Sequence, residues 1–148
     1  PRSLSGAAPE RASINHGFKA VQISSSAWTA EALKLTMPAS VFSRSTEAHN
    51  QDKVSMGTIA ARDCLRILEL TEQVAAAHTL ASVQAARLRL RINNTTPIPP
   101  PLLAFMESVT AGSPFVDEDR ALESDLRALT ARIAACDLVE DVGGGESA

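Results

Sequence analysis

Apolar residues recur at helical spacing in three long runs, and no stretch shows the convincing period of two that a half-buried strand requires. In the first run Phe18, Val21, Ser25, Trp28, Ala32 and Leu35 follow one another at steps of three and four, while Lys19, Glu31 and Lys34 fall off that stripe. The pattern predicts an amphipathic helix of about twenty residues. Asn15 is its expected N-cap, Gly17 permits a tight entry, and residues 24–27 form a face of small groups. Pro38 ends it, because the ring blocks a helical hydrogen bond and biases Met37 towards an extended conformation. The second run predicts one continuous helix over residues 52–91, with Asn50 or Asp52 as cap. Arg62, Arg66, Glu69 and Gln73 form its polar stripe, and most other directions carry Ala, Leu, Ile or Val. A helix apolar nearly all round is buried on most sides. The third run, Leu122, Leu126, Leu129 and Ile133, predicts a last helix capped by Asp117, with Glu118 and Asp119 at the positive end of its dipole.

The intervening stretches read as connectors. Residues 1–13 are a loop, and residues 39–46 an extended crossing segment anchored by Val41 and Phe42. Pro97, Pro99, Pro100 and Pro101 make a stiff linker before a short helix over 102–109 and a loop over 110–115. Residues 143–148, Gly143-Gly144-Gly145-Glu146-Ser147-Ala148, are expected to be a frayed, disordered tail after a helical portion spanning 1–142. The expected fold class is all-α: a fragment of an elongated helical bundle with one long central helix and shorter flanking helices.

Length sharpens this picture. A helix of about forty residues spans about 60 Å at ~1.5 Å per residue. A globule the size of this 148-residue chain has a radius of gyration near ~15 Å, hence a diameter of roughly 40 Å. A buried helix that overshoots its own domain must be covered by other helices, from sequence outside the chain, from partner subunits, or from both. The chain begins at Pro1 without an initiator Met, which suits a fragment or a processed product.

The formal charge of −3 argues against a dedicated nucleic-acid binder, and Arg87-Leu88-Arg89-Leu90-Arg91 is the only basic cluster. Those arginines suit the negative end of the long helix's dipole and read as a solvated or inter-subunit helix end. Cys64 and Cys136 sit among apolar neighbours and are expected to be buried free thiols in a reducing compartment. No signal peptide is visible and no charge-free apolar run reaches the ~18 residues of a membrane span, so a cytoplasmic protein without membrane contact is expected. His16, His49 and His78 match no metal-ligand spacing, no strand–turn–helix elbow surrounds any Ser, and Gly-rich phosphate cradles are absent.

One stretch holds more chemistry than a helix entrance needs. Glu47, His49, Asn50, Gln51 and Asp52 place a carboxylate, an imidazole, two carboxamides and a second carboxylate within residues 47–52. Carboxamides offer both donors and acceptors, so Asn50 and Gln51 can orient a small molecule bearing amine and carboxylate groups without adding charge. Glu47 can accept protons from an amine. This constellation supports a polar pocket at Glu47, Asn50 and Gln51, with His49 and Asp52 in support, and names no reaction.

At these residues the chain resembles the aromatic amino-acid ammonia-lyase and 2,3-aminomutase family, which also includes histidine ammonia-lyase. His49-Asn50-Gln51-Asp52 is similar to the His-Asn-Gln-Asp signature of the phenylalanine and tyrosine enzymes, where histidine ammonia-lyases carry Gln-Glu-Asp-His. Val54-Ser55-Met56-Gly57 followed by Ala60-Ala61-Arg62 also resembles the family, as do Leu4-Ser5-Gly6, Asn15, Gly17-Phe18, Gln22 and Pro38-Ala39-Ser40. The likeness covers roughly residues 4–138 and is specific around 45–63; residues 46–63 look most like the bacterial tyrosine aminomutases and tyrosine ammonia-lyases.

The resemblance implies the C-terminal helical portion of an enzyme that uses an electrophilic methylidene-imidazolone, MIO, formed autocatalytically from an internal Ala-Ser-Gly. This chain contains no Ala-Ser-Gly and no Tyr, and Leu4-Ser5-Gly6 matches a family segment well after the MIO loop. MIO, the catalytic tyrosine and the carboxylate-binding arginine are therefore expected from an upstream part. By position, Gln51 and Glu47 would flank the substrate amine and the MIO, Asn50 would complete the polar wall, and Asp52 would cap the turn. The family's long helices pack into a homotetramer whose active sites each draw on three subunits, in agreement with the overlong helix. The implied substrate is an aromatic amino acid, tyrosine or phenylalanine. The alternative is a helical interaction module of shared ancestry that has lost catalysis.

Overall fold

The computed structural model describes residues 4–93 and 97–138, and every regular element among them is helical. Helix α1 (Lys19–Leu35) is followed by short 3-10 turns at Ala39–Phe42 and Glu47–His49. The long helix α2 (Gly57–Ile92), α3 (Pro100–Gly112) and α4 (Glu123–Ala134) complete the chain. Helix α2 is continuous through Gln73 and, at about 1.5 Å per residue, spans roughly 54 Å. Its companions α1, α3 and α4 all pack against it.

The core lies on the C-terminal half of α2. Ala76, Ala77, Leu80 and Val83 meet Phe18 and Val21 of the first segment, Met106 and Val109 of α3, and Leu122 and Leu129 of α4. The small alanines let neighbouring helices approach closely. The predicted stripe of the last helix is correct: Leu122 and Leu129 are buried, and Leu126 and Ile133 pack against the same core.

A polar clasp fastens the segments around Leu4 and Val116 to α2. Buried Gln84 donates from Nε2 to the carbonyls of Leu4 (2.9 Å) and Val116 (2.8 Å), and its Oε1 accepts from the Val116 N–H (3.2 Å). The Gly6 N–H donates to the Val116 carbonyl at 3.0 Å. A Cβ at Gly6 would fall 2.4 Å from the Phe115 ring, so only glycine allows this approach. The Arg91 guanidinium stacks over that ring at 3.6 Å from the centroid and pairs with Asp117 at 2.6 Å. The Asp119 carboxylate accepts from the backbone N–H groups of His16 (2.6 Å) and Gly17 (2.7 Å), while Asn15 Oδ1 accepts from the Asp119 N–H. The His16 amide, then the Gly17 amide, hold the Asp119 carboxyl below its usual range against a smaller opposing effect of burial. Beside the clasp, the buried carboxylate of Asp125 is paired with Arg120, which also donates to the carbonyls of Pro114 and Ala121.

Several sequence expectations are corrected. The long helix starts at Gly57 after Met56, so neither Asn50 nor Asp52 caps it; the polar stretch is a separate turn in front of it. Asn15 does not cap α1, which starts after Phe18, because its carboxamide is engaged by Arg11 and Asp119. Asp117 does not cap the last helix, which starts after Leu122; it pairs with Arg91 instead. Residues 39–42 form a 3-10 turn rather than an extended segment, and Val41 and Phe42 are 56% and 54% exposed, so the described residues do not bury them. Cys64 and Cys136 are free but exposed. The short helix runs longer than expected, with Pro100 in its first turn, where the missing N–H costs nothing. The tail at 143–148 lies outside the described residues.

Candidate functional site

The site residues sit on a closed turn between α1 and α2. Its outer bracket is Ser43, whose buried Oγ accepts from the Val54 N–H (2.9 Å) and donates to the Val54 carbonyl (3.2 Å). Its inner bracket is Thr46. The Thr46 N–H donates to the Gln51 carbonyl at 3.0 Å, and Thr46 Oγ1 accepts from the Gln51 N–H at 2.9 Å. Inside that bracket the His49 N–H donates to the Thr46 carbonyl (3.1 Å), and the Asn50 N–H to that of Glu47 (3.0 Å).

The turn is strained. Ala48 and His49 are consecutive non-glycine residues with φ of 51° and 55°, in the left-handed region. Such conformations cost about 1–3 kcal/mol each and persist only where the surroundings over-determine them. Serine and threonine hydroxyls supply that restraint here, together with a contact between Ser45 Oγ and His49 Nδ1 at 3.1 Å.

The structure brings all five sequence-predicted residues, Glu47, His49, Asn50, Gln51 and Asp52, onto this one turn, and all five are exposed. The side chains of Glu47, Asn50, Gln51 and Asp52 make no hydrogen bond or ion pair with any described residue. Carboxylate and carboxamide groups are thus presented outward with their bonding capacity unspent. Sequence reasoning missed Ser43 and Thr46. The available signal was a hydroxyl residue a few positions ahead of an acid and an amide, the pattern of a side-chain-closed turn. A cavity of about 660 Å³ between α1, α2 and α4 is lined by Trp28, Gln73, Leu126 and Arg127, and by no residue of the turn. Among the described residues no three His, Cys, Asp or Glu side chains cluster as a metal site, and no helix is long and apolar enough to cross a membrane.

The family model described as "Aromatic amino acid lyase" matches residues 1–111, a stretch that contains α1, the polar turn and the whole of α2. The chain belongs to the aromatic amino acid lyase family. A tyrosine ammonia-lyase of Cupriavidus metallidurans is 36% identical over 131 residues, which cover 88% of this chain and 24% of that protein. Among solved structures, tyrosine aminomutase from Streptomyces globisporus superposes with a TM-score of 0.81 at 28% identity, covering 96% of this chain and 26% of that one. Histidine ammonia-lyase from Trypanosoma cruzi superposes with a TM-score of 0.81 at 26% identity, again over 96% of this chain and 26% of that one. The chain therefore spans about a quarter of the length of the relatives it matches. At that coverage the structural likeness carries past residue 111 and takes in the clasp as well as the helices.

Proposed function

We propose that this chain supplies the Glu47–Asn50–Gln51 wall of an ammonia-lyase or 2,3-aminomutase acting on tyrosine or phenylalanine. The observation that carries the reading is the turn itself: three polar side chains with no partner among the described residues, on a strained backbone, within the segment matched by the family. In this reading the Glu47 carboxylate accepts from the substrate ammonium. The Gln51 and Asn50 carboxamides orient the amine through their oxygens and donate through their N–H groups. His49 braces the turn through Ser45, whereas the Asp52 side chain, expected to cap it, makes no bond with any described residue. The donor set suits an amine beside a neutral electrophile, and MIO would supply that electrophile. The chain has no Ala-Ser-Gly from which to form it and no tyrosine to act as base. Both come from an upstream part of the same enzyme, and the 148 residues alone are inactive.

Assembly follows from the exposed apolar positions. Ile59, Leu65 and Leu68 on α2, and Leu33, Met37, Val41 and Phe42 earlier in the chain, are exposed large apolar side chains. Exposed apolar surface supports an interface. Its occupants are the upstream part and further copies, in a cytoplasmic homotetramer that binds no nucleic acid and no membrane. The same uncovered face, with the missing tripeptide, also favours a second reading, a non-catalytic helical interaction module derived from the family.

The test is Gln51→Ala in the complete polypeptide that carries these residues. Turnover is expected to fall more than about tenfold, or about 1.4 kcal/mol of transition-state stabilisation. The melting temperature and the tetramer content stay in place, because the Gln51 side chain makes no bond with any described residue. Unchanged turnover removes Gln51 from the site. A loss of stability matching the loss of activity returns the turn to a purely structural role. Aryl-acrylate product from the isolated 148-residue chain would overturn the dependence on an upstream part.

A further inference from the structure

We infer that Thr46 is a positioning residue for this wall, an inference that rests on the function proposed above. Since the side chains of Glu47, Asn50 and Gln51 are held by no described residue, their placement is set by the backbone that carries them. That backbone includes two left-handed non-glycine residues, Ala48 and His49, which favour relaxation to another conformation. Thr46 opposes that relaxation at three points. Its N–H and its Oγ1 grip the carbonyl and the N–H of Gln51, and its carbonyl receives the His49 N–H. Two of these are backbone bonds that any residue can make. The third, from the Gln51 N–H to Thr46 Oγ1 at 2.9 Å, needs a hydroxyl at this position. Ser43 holds the outer bracket through Val54 and does not reach Gln51, so its bonds do not replace this one. Thr46 therefore acts on the substrate amine through Gln51, without touching it.

The experiment uses the complete polypeptide. Thr46→Val keeps the shape of the side chain and removes the acceptor; Thr46→Ser keeps the acceptor. Thr46→Val is expected to lower kcat by about fivefold or more with KM within about twofold, while Thr46→Ser stays within about twofold of the parent in both. In a Gln51→Ala background Thr46→Val is expected to cost less than about twofold, because residues acting through one another are non-additive. Full kcat in Thr46→Val beside a crippled Gln51→Ala overturns this inference and leaves the proposed function standing. Full additivity of the pair, or a Thr46→Ser variant as poor as Thr46→Val, also overturns it. Full kcat in Gln51→Ala removes the site and this inference together. Should Thr46→Val fail to assemble, Thr46→Val/Ala48→Gly decides: glycine accepts the left-handed conformation, so assembly is expected to return, and its failure to return overturns the inference.

Discussion

The two halves of α2 have similar Ala- and Leu-rich compositions and opposite fates. From Leu70 onwards the helix is enclosed by its own chain, with Leu70, Ala76, Ala77, Leu80, Val83, Gln84 and Leu88 all buried. Ahead of Leu70 no residue of the helix is buried, and Leu65 is 62% exposed where Leu70 is 0%. The difference does not lie in helix propensity. It lies in what the rest of the chain can reach: the clasp, α3 and α4 close over one half, while the other is held to α1 through the Arg66–Glu31 pair. Burial is thus a property of what the rest of the chain can reach as much as of the local sequence, and the described residues leave the first part of α2 open.

Substitutions at the two halves should separate them. Leu70→Ala is expected to be the most damaging, costing about 2–5 kcal/mol as buried leucine truncations do; a shift in urea midpoint equivalent to less than about 1 kcal/mol would show that this half is loosely packed. Gln84→Leu comes next. It leaves the Val116 N–H and the Leu4 carbonyl without their partner and the Val116 carbonyl with the Gly6 N–H alone, at about 1–3 kcal/mol for a buried group left unsatisfied. Hydrogen exchange should accelerate at Gly6 and Val116, and unchanged exchange there would mean that Gln84 is not the centre of the clasp.

Asp119→Asn should have a smaller, pH-dependent effect. The folded carboxyl is held below its usual range, so its contribution is complete above the unfolded value of about 3.9 and is lost as pH falls through the depressed folded value. The gap in melting temperature between parent and variant should be widest near neutrality and close in acid. A gap that widens on acidification would contradict the hydrogen-bond assignment. Leu65→Ser, in the exposed half, is expected to change the stability of the isolated chain by under about 0.5 kcal/mol while weakening its self-association in sedimentation. A large loss of stability in the monomer would erase the contrast between the halves.

The contrast also marks what the sequence made legible. The continuity of the long helix and the stripe of the last one followed from period alone, since repeated apolar spacing is summed over many residues. The five candidate residues stood out because their chemistry is dense, and one turn carries them all. Start points were harder. Asn15, Asp52 and Asp117 all look like helix caps, but Asn15 and Asp117 bond to residues distant in the chain, and Asp52 sits outside the helix. Capping preference is a local rule, and a long-range partner overrides it. The left-handed Ala48 and His49 carry no glycine or asparagine signal at all. Their conformation is imposed by Thr46 and Ser43, whose role appears only once the chain has closed. Val41, Phe42 and the two cysteines were misplaced for a related reason: apolar neighbours predict burial without saying whose surface provides it.

The long helix is also a lever arm. Leu70 is the first residue gripped on all sides, and Gly57, where the polar turn hands over to the helix, lies thirteen residues ahead of it, about 20 Å along the axis at ~1.5 Å each. An angular error of about 3° at the grip displaces the tip by about 1 Å over that length, and misplacements of that size can cost about a hundredfold in rate. Alignment of the turn is therefore referred to a fulcrum a third of the way down the rod. Slack introduced at Leu70 would be read out, magnified, at the polar turn.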